Sequence, residues 1–299
     1  MKEEPSRVDE RLIGAHYEVL EKLWGPDLPL VFSHAVLAQV SLPFRNPGEA
    51  VRTFQRKCGG ASIQMEAGYL PDANGDFQAV GLPFGPRCRL VLIHLCSEAL
   101  RQKSPVVELQ DGSFTAFASN LGISTGGRDL RSLKEQVRRM SVVNMRLARR
   151  HGRSVQVYQG RLFRSLRAEW STSPGQRLLW PSHVEFSPEF YSSLAKNSVP
   201  MRWEAVGALK HSARALDVYC WLSNRLWRVN KNTRITYRAL QFQFGNPKGN
   251  QRSFQRAFDT AMKQALMVYP QANVESVEGG VVLKPSAPAV PFKEGTLLE

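Results

Sequence analysis

The sequence predicts an α+β chain, mainly helical, that carries one module twice in tandem behind a small N-terminal extension. Three observations predict it. A helix, a strand, two helices and a two-stranded hairpin follow one another over residues 81–170, and the same order returns over 182–286. A turn-rich stretch at 171–176 (STSPGQ) stands between the two runs. That order belongs to the winged helix-turn-helix. The expected domains are an extension (1–80), a first winged helix (81–170), a linker (171–181), a second winged helix (182–286) and a tail (287–299).

Each element has its own local reason. Residues 6–24 space Val8, Leu12, Leu20 and Leu23 at helical intervals, which predicts an amphipathic helix that either covers a core or binds a partner. Pro43, Pro47, Gly59, Gly60, Gly68, Pro71, Asn74 and Gly75 then punctuate the chain, with strand-like pieces at 62–66 and 77–80 and a hairpin turn at 72–76 (DANGD). Residues 87–101 are apolar over most of their length, as in a buried helix. A short strand follows at 104–109, and a Ser-capped second helix occupies 111–122. After the turn GISTGG comes a third helix within 124–140. Two basic strand-like runs, 141–150 and 154–167, complete a hairpin that turns at His151 and Gly152.

The second copy begins with a strand, a Ser187 cap, Pro188 at the first helical position and a short helix, all within 182–194. A long amphipathic helix (213–230), a strand (233–236), two helices (237–245 and 249–266) and a Gly-Gly hairpin (272–286) follow. Setting Leu121-Gly122 against Phe244-Gly245 places Phe114 opposite Tyr237 and Phe117 opposite Leu240 without a gap. The Pro-rich stretch 285–295 is expected either to dock or to be disordered.

The chemistry concentrates in the two third helices. At helical periodicity, Leu130, Leu133, Val137 and Met140 form one stripe of the first, while Arg128, Arg131, Lys134 and Arg138 form a neighbouring one. One face can dock on the module while the other enters a major groove, where Arg pairs with guanine and the remaining cations neutralise phosphates. Residues 128–167 hold eleven arginines and one lysine against Asp129 and Glu135 alone. A solvated basic helix is the alternative, and the third position in the module favours DNA. Gly126 and Gly127 act as the hinge that frees the start of this helix, and Arg149 and Arg150 on the hairpin are phosphate candidates. In the second copy Phe254, Phe258, Ala261 and Ala265 form the inner stripe; Arg252, Gln255, Arg256 and Lys263 face outward. Gln255 can read adenine, Asp259 can accept from cytosine or pair with Arg256, and Lys248 and Asn250 are phosphate candidates. Trp221, Trp227 and Tyr219 are expected in the core.

Composition sets the boundaries. The chain has 299 residues, 42% hydrophobic and 22% charged, with a net charge of +14, which makes nucleic acid or another anionic surface the first expected partner. Four cysteines without a CxxC pair and six scattered histidines are poor material for zinc, so no metal and no cofactor are expected. Cys88 and Cys96 read as small buried residues, His94 as a core histidine. The longest apolar runs, such as 90–95, fall far short of a membrane span, and no secretory leader is evident. These features predict free thiols, a cytoplasmic location and no membrane partner. Gly126-Gly127 is not followed by Lys-Ser/Thr, so there is no Walker loop, and Tyr191, Tyr237 and Tyr269 lack a metal-binding histidine pair. No enzymatic activity is expected.

The strings 81–109 (GLPFGPRCRLVLIHLCSEALRQKSPVVEL), 113–140 (SFTAFASNLGISTGGRDLRSLKEQVRRM) and 215–245 (ALDVYCWLSNRLWRVNKNTRITYRALQFQFG) resemble the plasmid-encoded RepA family of replication initiators. The likeness extends to 40–47 and 281–291. It implies a protein that binds repeated duplex sites in a plasmid origin, promotes opening of AT-rich DNA and recruits host replication proteins such as DnaA and the DnaB helicase. It also implies repression of its own promoter, often as a homodimer, and through both activities a role in plasmid copy number. It gives the recognition-helix role to Gly126, Gly127, Arg128, Arg131, Lys134 and Arg138, and more loosely to Arg252, Gln255 and Arg256. The alternatives are a winged-helix transcriptional regulator or partition factor, and a nicking initiator with a tyrosine nucleophile.

Overall fold

A computed structural model of the chain describes residues 6–21, 29–72, 74–108, 113–151, 154–168 and 181–291. The first helix, α1 (Arg7–Glu21), buries Leu12, Ala15 and Val19 and leaves Val8, Ile13, Tyr17 and Leu20 exposed. Arg11 Nε donates to the Ala208 carbonyl and His16 Nδ1 meets the Met267 carbonyl, both at 2.7 Å, so the helix covers the second half of the chain. Leu23 of the expected stripe lies outside the described residues.

Strand β1 (Leu30–His34) runs directly into α2 (Ala35–Gln39), with most of both buried. Next come β2 (Thr53–Cys58), β3 (Ala61–Glu66), β4 (Tyr69–Pro71) and β5 (Phe77–Ala79). The expected turn joins β4 to β5, with Asp72 Oδ1 accepting the Asn74 and Asp76 amides at 2.9 and 3.0 Å. Helix α3 (Gly85–Arg101) is buried along most of its length. It leads through β6 (Val106–Glu108) to α4 (Phe114–Asn120) and α5 (Gly127–Val142). Strands β7 (Asn144–His151), β8 (Ser154–Arg161), β9 (Phe163–Ala168) and β10 (Pro181–Phe186) precede α6 (Pro188–Lys196), β11 (Ser198–Arg202) and α7 (Trp203–Leu209). The last part holds α8 (Ala213–Arg225) with a 3-10 turn at Leu226–Arg228, β12 (Thr233–Thr236), α9 (Tyr237–Phe244), α10 (Gln251–Met267), β13 (Val274–Val277) and β14 (Gly280–Leu283).

The module repeats closely at its caps. Ser113 accepts the Ala116 amide at 3.1 Å and Thr236 accepts the Ala239 amide at 3.2 Å, so α4 and α9 start on the same chemistry. Phe114, Tyr237, Phe117 and Leu240 are all buried, as the repeat requires. The two aligned glycines differ. Gly122 holds a φ of +63° and closes α4 with the Ile123 amide on the Ala118 carbonyl, a left-handed cap that favours glycine. At Gly245 the obstacle is steric, because a Cβ there would lie 2.7 Å from the Phe254 ring.

Two three-stranded sheets share one topology. In the first, β10 lies between β6 and β9; in the second, β14 lies between β12 and β13. The expected hairpin of 141–150 with 154–167 forms as far as residue 161, but it is not part of the first of these sheets. Strands β7 and β8 do pair, but in a separate four-stranded sheet of order β2-β3-β7-β8. The second run breaks because Leu162 and Phe163 are buried in succession, which a strand facing a single core cannot accommodate. Its remainder, β9, pairs with β10, so the strand after the expected linker completes the first sheet instead of opening the second copy. The linker itself, 171–176, lies outside the described residues.

The N-terminal extension is sewn into both halves. Strand β1 pairs with β11, and β3 pairs with β7. The halves also meet at α3 and α8, where buried Arg89 grips Asp217 through Nε and Nη2 at 2.6 and 2.7 Å and donates to the Leu42, Pro43 and Gly85 carbonyls. The tail docks through Pro291: Tyr269 donates to the Ala287 carbonyl at 2.8 Å, Arg202 Nε to the Ala289 carbonyl at 2.9 Å, and Ala289 and Val290 are buried. Cys88, Cys96 and Cys220 are buried free thiols, with Trp221 and Tyr219 in the core beside the last. Among the described residues no helix is long and apolar enough to cross a membrane.

Candidate nucleic-acid interface

Helix α5 docks by Leu133 and Met140, which are buried, with Leu130 and Val137 packed at the edge. Gln136 is buried as well, and its Oε1 accepts the Phe84 amide at 2.8 Å, anchoring the helix to the segment before α3. Arg87 pairs with Asp129, which fixes the start of α5 against α3.

The outward stripe divides by partner. Arg128 and Arg131 are exposed, with no ion pair among the described residues. Lys134 is exposed with its Nζ 5.2 Å from the centroid of the Phe114 ring. Arg138 is bound to Glu135, at 2.9 Å from Nε and 3.3 Å from Nη2. Burial alone would raise the Glu135 carboxyl, but hydrogen bonds from Arg138 and Arg139 hold it below the ordinary carboxylate range. Arg139 points inward, stacked over Phe84 and held by Glu135, Glu49 and the Leu82 carbonyl.

Gly126 precedes the helix at φ −63°, so no unusual backbone angle calls for glycine there. An added Cβ would meet Ser124 Oγ at 3.5 Å, and one on Gly127 would meet Arg131 at 3.7 Å, both ordinary contacts. The hinge reading is therefore corrected: the turn bends at Gly122, while Gly126 and Gly127 leave the exposed amide end of α5 bare of side chains. A nucleophile elbow is not expected from the sequence, yet its spacing is present. Gly122-Ile123-Ser124-Thr125-Gly126 matches the Gly-x-Ser-x-Gly pattern of nucleophile elbows. It joins two helices, not a strand to a helix, and Ser124 Oγ accepts the Gly126 amide at 3.2 Å.

The basic hairpin is less free than its local composition indicates. Arg146 pairs with Glu66, and Arg164 lies 3.5 Å from Glu185. Arg149 donates to Asn197 at 2.8 Å. Arg150 remains exposed at the end of β7, its amide bound to the Gly60 carbonyl at 2.7 Å. Arg153 lies outside the described residues.

In the second copy α10 buries Phe254, Phe258, Ala261 and Ala265 as expected and exposes Arg252, Arg256 and Lys263. Asp259 does not pair with Arg256; it accepts the Tyr237 hydroxyl at 2.7 Å. Burial first and this carboxylate second push the phenol up to about 12, and half-buried Gln255 reaches the same hydroxyl. Lys248 and Asn250 are exposed in the turn, where Asn250 Oδ1 caps the Ser253 amide at 2.9 Å. Gln241, which the sequence did not single out, is buried and donates to the Asn246 and Gly249 carbonyls at 2.8 and 2.9 Å. It sets the turn that presents α10. A polar residue on the inner face of a short amphipathic helix was the available signal.

No group of three metal-ligating side chains occurs among the described residues. No curated protein matches the chain. Two solved structures resemble it in fold, both of RctB domains 2 and 3. One, a SeMet derivative, superposes with a TM-score of 0.55 at 13% identity, covering 85% of this chain and 98% of that one. The other, spanning RctB residues 155–483, gives 0.51 at 13% identity, covering 84% and 96%. The family model described as plasmid-encoded RepA protein matches residues 82–240, from the start of α3 to the middle of α9. That span takes in α5, the α3–α8 junction and more than half of the sequence, and so the chain belongs to the plasmid-encoded RepA protein family.

Proposed function

We propose that the protein is a plasmid replication initiator that grips duplex origin DNA with two winged helices in tandem. The observation that carries the reading is the shared topology: α3-β6-α4-α5-β9-β10 and α8-β12-α9-α10-β13-β14 each place the last strand between the other two. Each copy also exposes a basic third helix. The wings are then β9–β10 and β13–β14, with β7–β8 an insertion into the first module.

In this reading Arg128, Arg131 and Lys134 of α5 and Arg252 and Arg256 of α10 enter the grooves. Arg138, Arg149, Arg150, Lys248, Asn250 and Lys263 contact the backbone, and Gly126 and Gly127 allow a phosphate to approach the amide end of α5. The protein has no catalytic step of its own. It acts in the bacterial cytoplasm, opening adjacent DNA, recruiting DnaA and the DnaB helicase and, as a homodimer, repressing its own promoter.

Footprinting on DNA flanking the protein's own gene tests the binding, with protected tandem repeats as the expected result. Supplying the protein to a plasmid that carries those repeats then tests initiation. Protection without replication would make it a regulator or partition factor, and strand cleavage in Mg²⁺ or Mn²⁺ would make it a nicking initiator.

A further inference from the structure

A recess of about 380 Å³ opens between the β2–β3 turn, the C-terminal end of α8 and the start of β12. Its charged lining residues are all cations, Arg225, Arg228 and Lys231, and no carboxylate lines it. None of the three has an ion pair among the described residues. Arg228 is held over the Trp227 ring, its guanidinium carbon 4.4 Å from the centroid. Burial lowers its pKa, and neighbouring Arg149 lowers it further, as for a cation without a compensating charge.

Polar side chains complete the walls. Asn224 and Gln243 are each 5% exposed, and neither side-chain amide makes a hydrogen bond among the described residues. Gln39, half-buried, adds a third such amide, and Gly59, at φ +55° with open space at its missing Cβ, leaves the rim clear. These amides face the open recess with no partner among the described residues, so they are free to bond a molecule that enters it.

We infer that this recess binds a phosphorylated small molecule of nucleotide size, with Arg225, Arg228 and Lys231 on the phosphates and the three amides on the base or sugar. Two guanidinium forks match phosphate oxygens, and clustered cations in a concave site concentrate a multivalent anion. The volume lies in the range of small-ligand sites, whereas a duplex would lie across the mouth without entering. The site is independent of α5 and α10.

Cys58 lines the recess and is half-buried, while the other three cysteines are buried, so alkylation of Cys58 reports occupancy in the unsubstituted protein. At constant ionic strength, ATP, ADP or pyrophosphate should slow that alkylation saturably, by about five-fold or more when bound, and adenosine should not. The double substitution Arg225→Ala, Arg228→Ala should weaken ATP-induced thermal stabilisation ten-fold or more in concentration. If that variant fails to fold, as judged by circular dichroism, protection of Cys58 decides alone. The inference is overturned if none of these compounds protects Cys58, if the double variant folds and binds ATP as tightly as the parent, or if duplex DNA protects Cys58 and nucleotides do not.

Discussion

Arg131 and Arg139 belong to the same helix, yet one guanidinium stands in solvent and the other is clamped between Glu135, Glu49 and the Leu82 carbonyl. Their replacement should therefore be felt in different measurements. Arg131→Ala is expected to weaken binding to the footprinted repeat by about 1–3 kcal/mol in a gel shift and to leave the urea midpoint in place. Arg150→Ala, at the end of β7, should weaken all sequences alike and reduce the slope of log affinity against log salt by about 1. Equal affinities for all three proteins would remove α5 and the hairpin from the interface. Arg139→Ala should instead cost about 1–3 kcal/mol of folding stability, because it leaves the buried Leu82 carbonyl without its donor and removes the guanidinium stacked over Phe84. An unchanged denaturation midpoint would refute that assignment. The eleven-to-one excess of arginine within 128–167 could not separate these roles. Glu49, Glu66 and Glu185, which answer three of those arginines, come from outside the window.

Among the elements, the longer helices were the most legible, since period and caps announce them locally, whereas α2 and α7 are too short to show a period and were not expected. Ser113, Ser187 and Pro188 stand where the cap chemistry puts them, and the tandem pattern was readable from Phe114–Gly122 against Tyr237–Gly245. Strands β1 and β11 were not legible, because their pairing joins residues 30–34 to 198–202 and neither alternates cleanly along its length. The destination of β9 was hidden for a related reason, as only the paired burial of Leu162 and Phe163 marks the change of sheet. Glycines sharpen the comparison. Gly122→Ala should destabilise the protein by about 1–2 kcal/mol through its φ of +63°. Gly126→Ala should leave folding nearly unchanged and weaken DNA binding, if a phosphate approaches the bare amide end of α5. Thermal melts paired with gel shifts on both variants check this, and a melt lowered equally by the two would contradict it.

For the whole molecule, His34 links stability to pH. It sits where β1 enters α2, its Nε2 2.9 Å from Ser193 Oγ and its Nδ1 accepting the Val36 amide. Burial first, and the Arg149 charge second, lower its pKa from 6.5 to about 4. The unfolded chain thus holds the extra proton between these values, so the contribution is intact above about pH 6.5 and is lost as pH falls toward 4. Roughly 3 kcal/mol is at stake, measurable as a urea midpoint that drops between pH 7 and 4.5 in the parent and drops less in His34→Gln. The Arg89–Asp217 clasp has a consequence for the DNA itself. If the two modules read DNA as proposed, heads bolted together through α3 and α8 cannot slide apart, and the protein would act as a caliper with one setting. Inserting about 5 base pairs, half a helical turn, within a repeat would carry the second groove to the far side of the duplex. Affinity should then fall to that of a single head, and Asp217→Ala, by loosening the jaws, should narrow the gap between the two spacings.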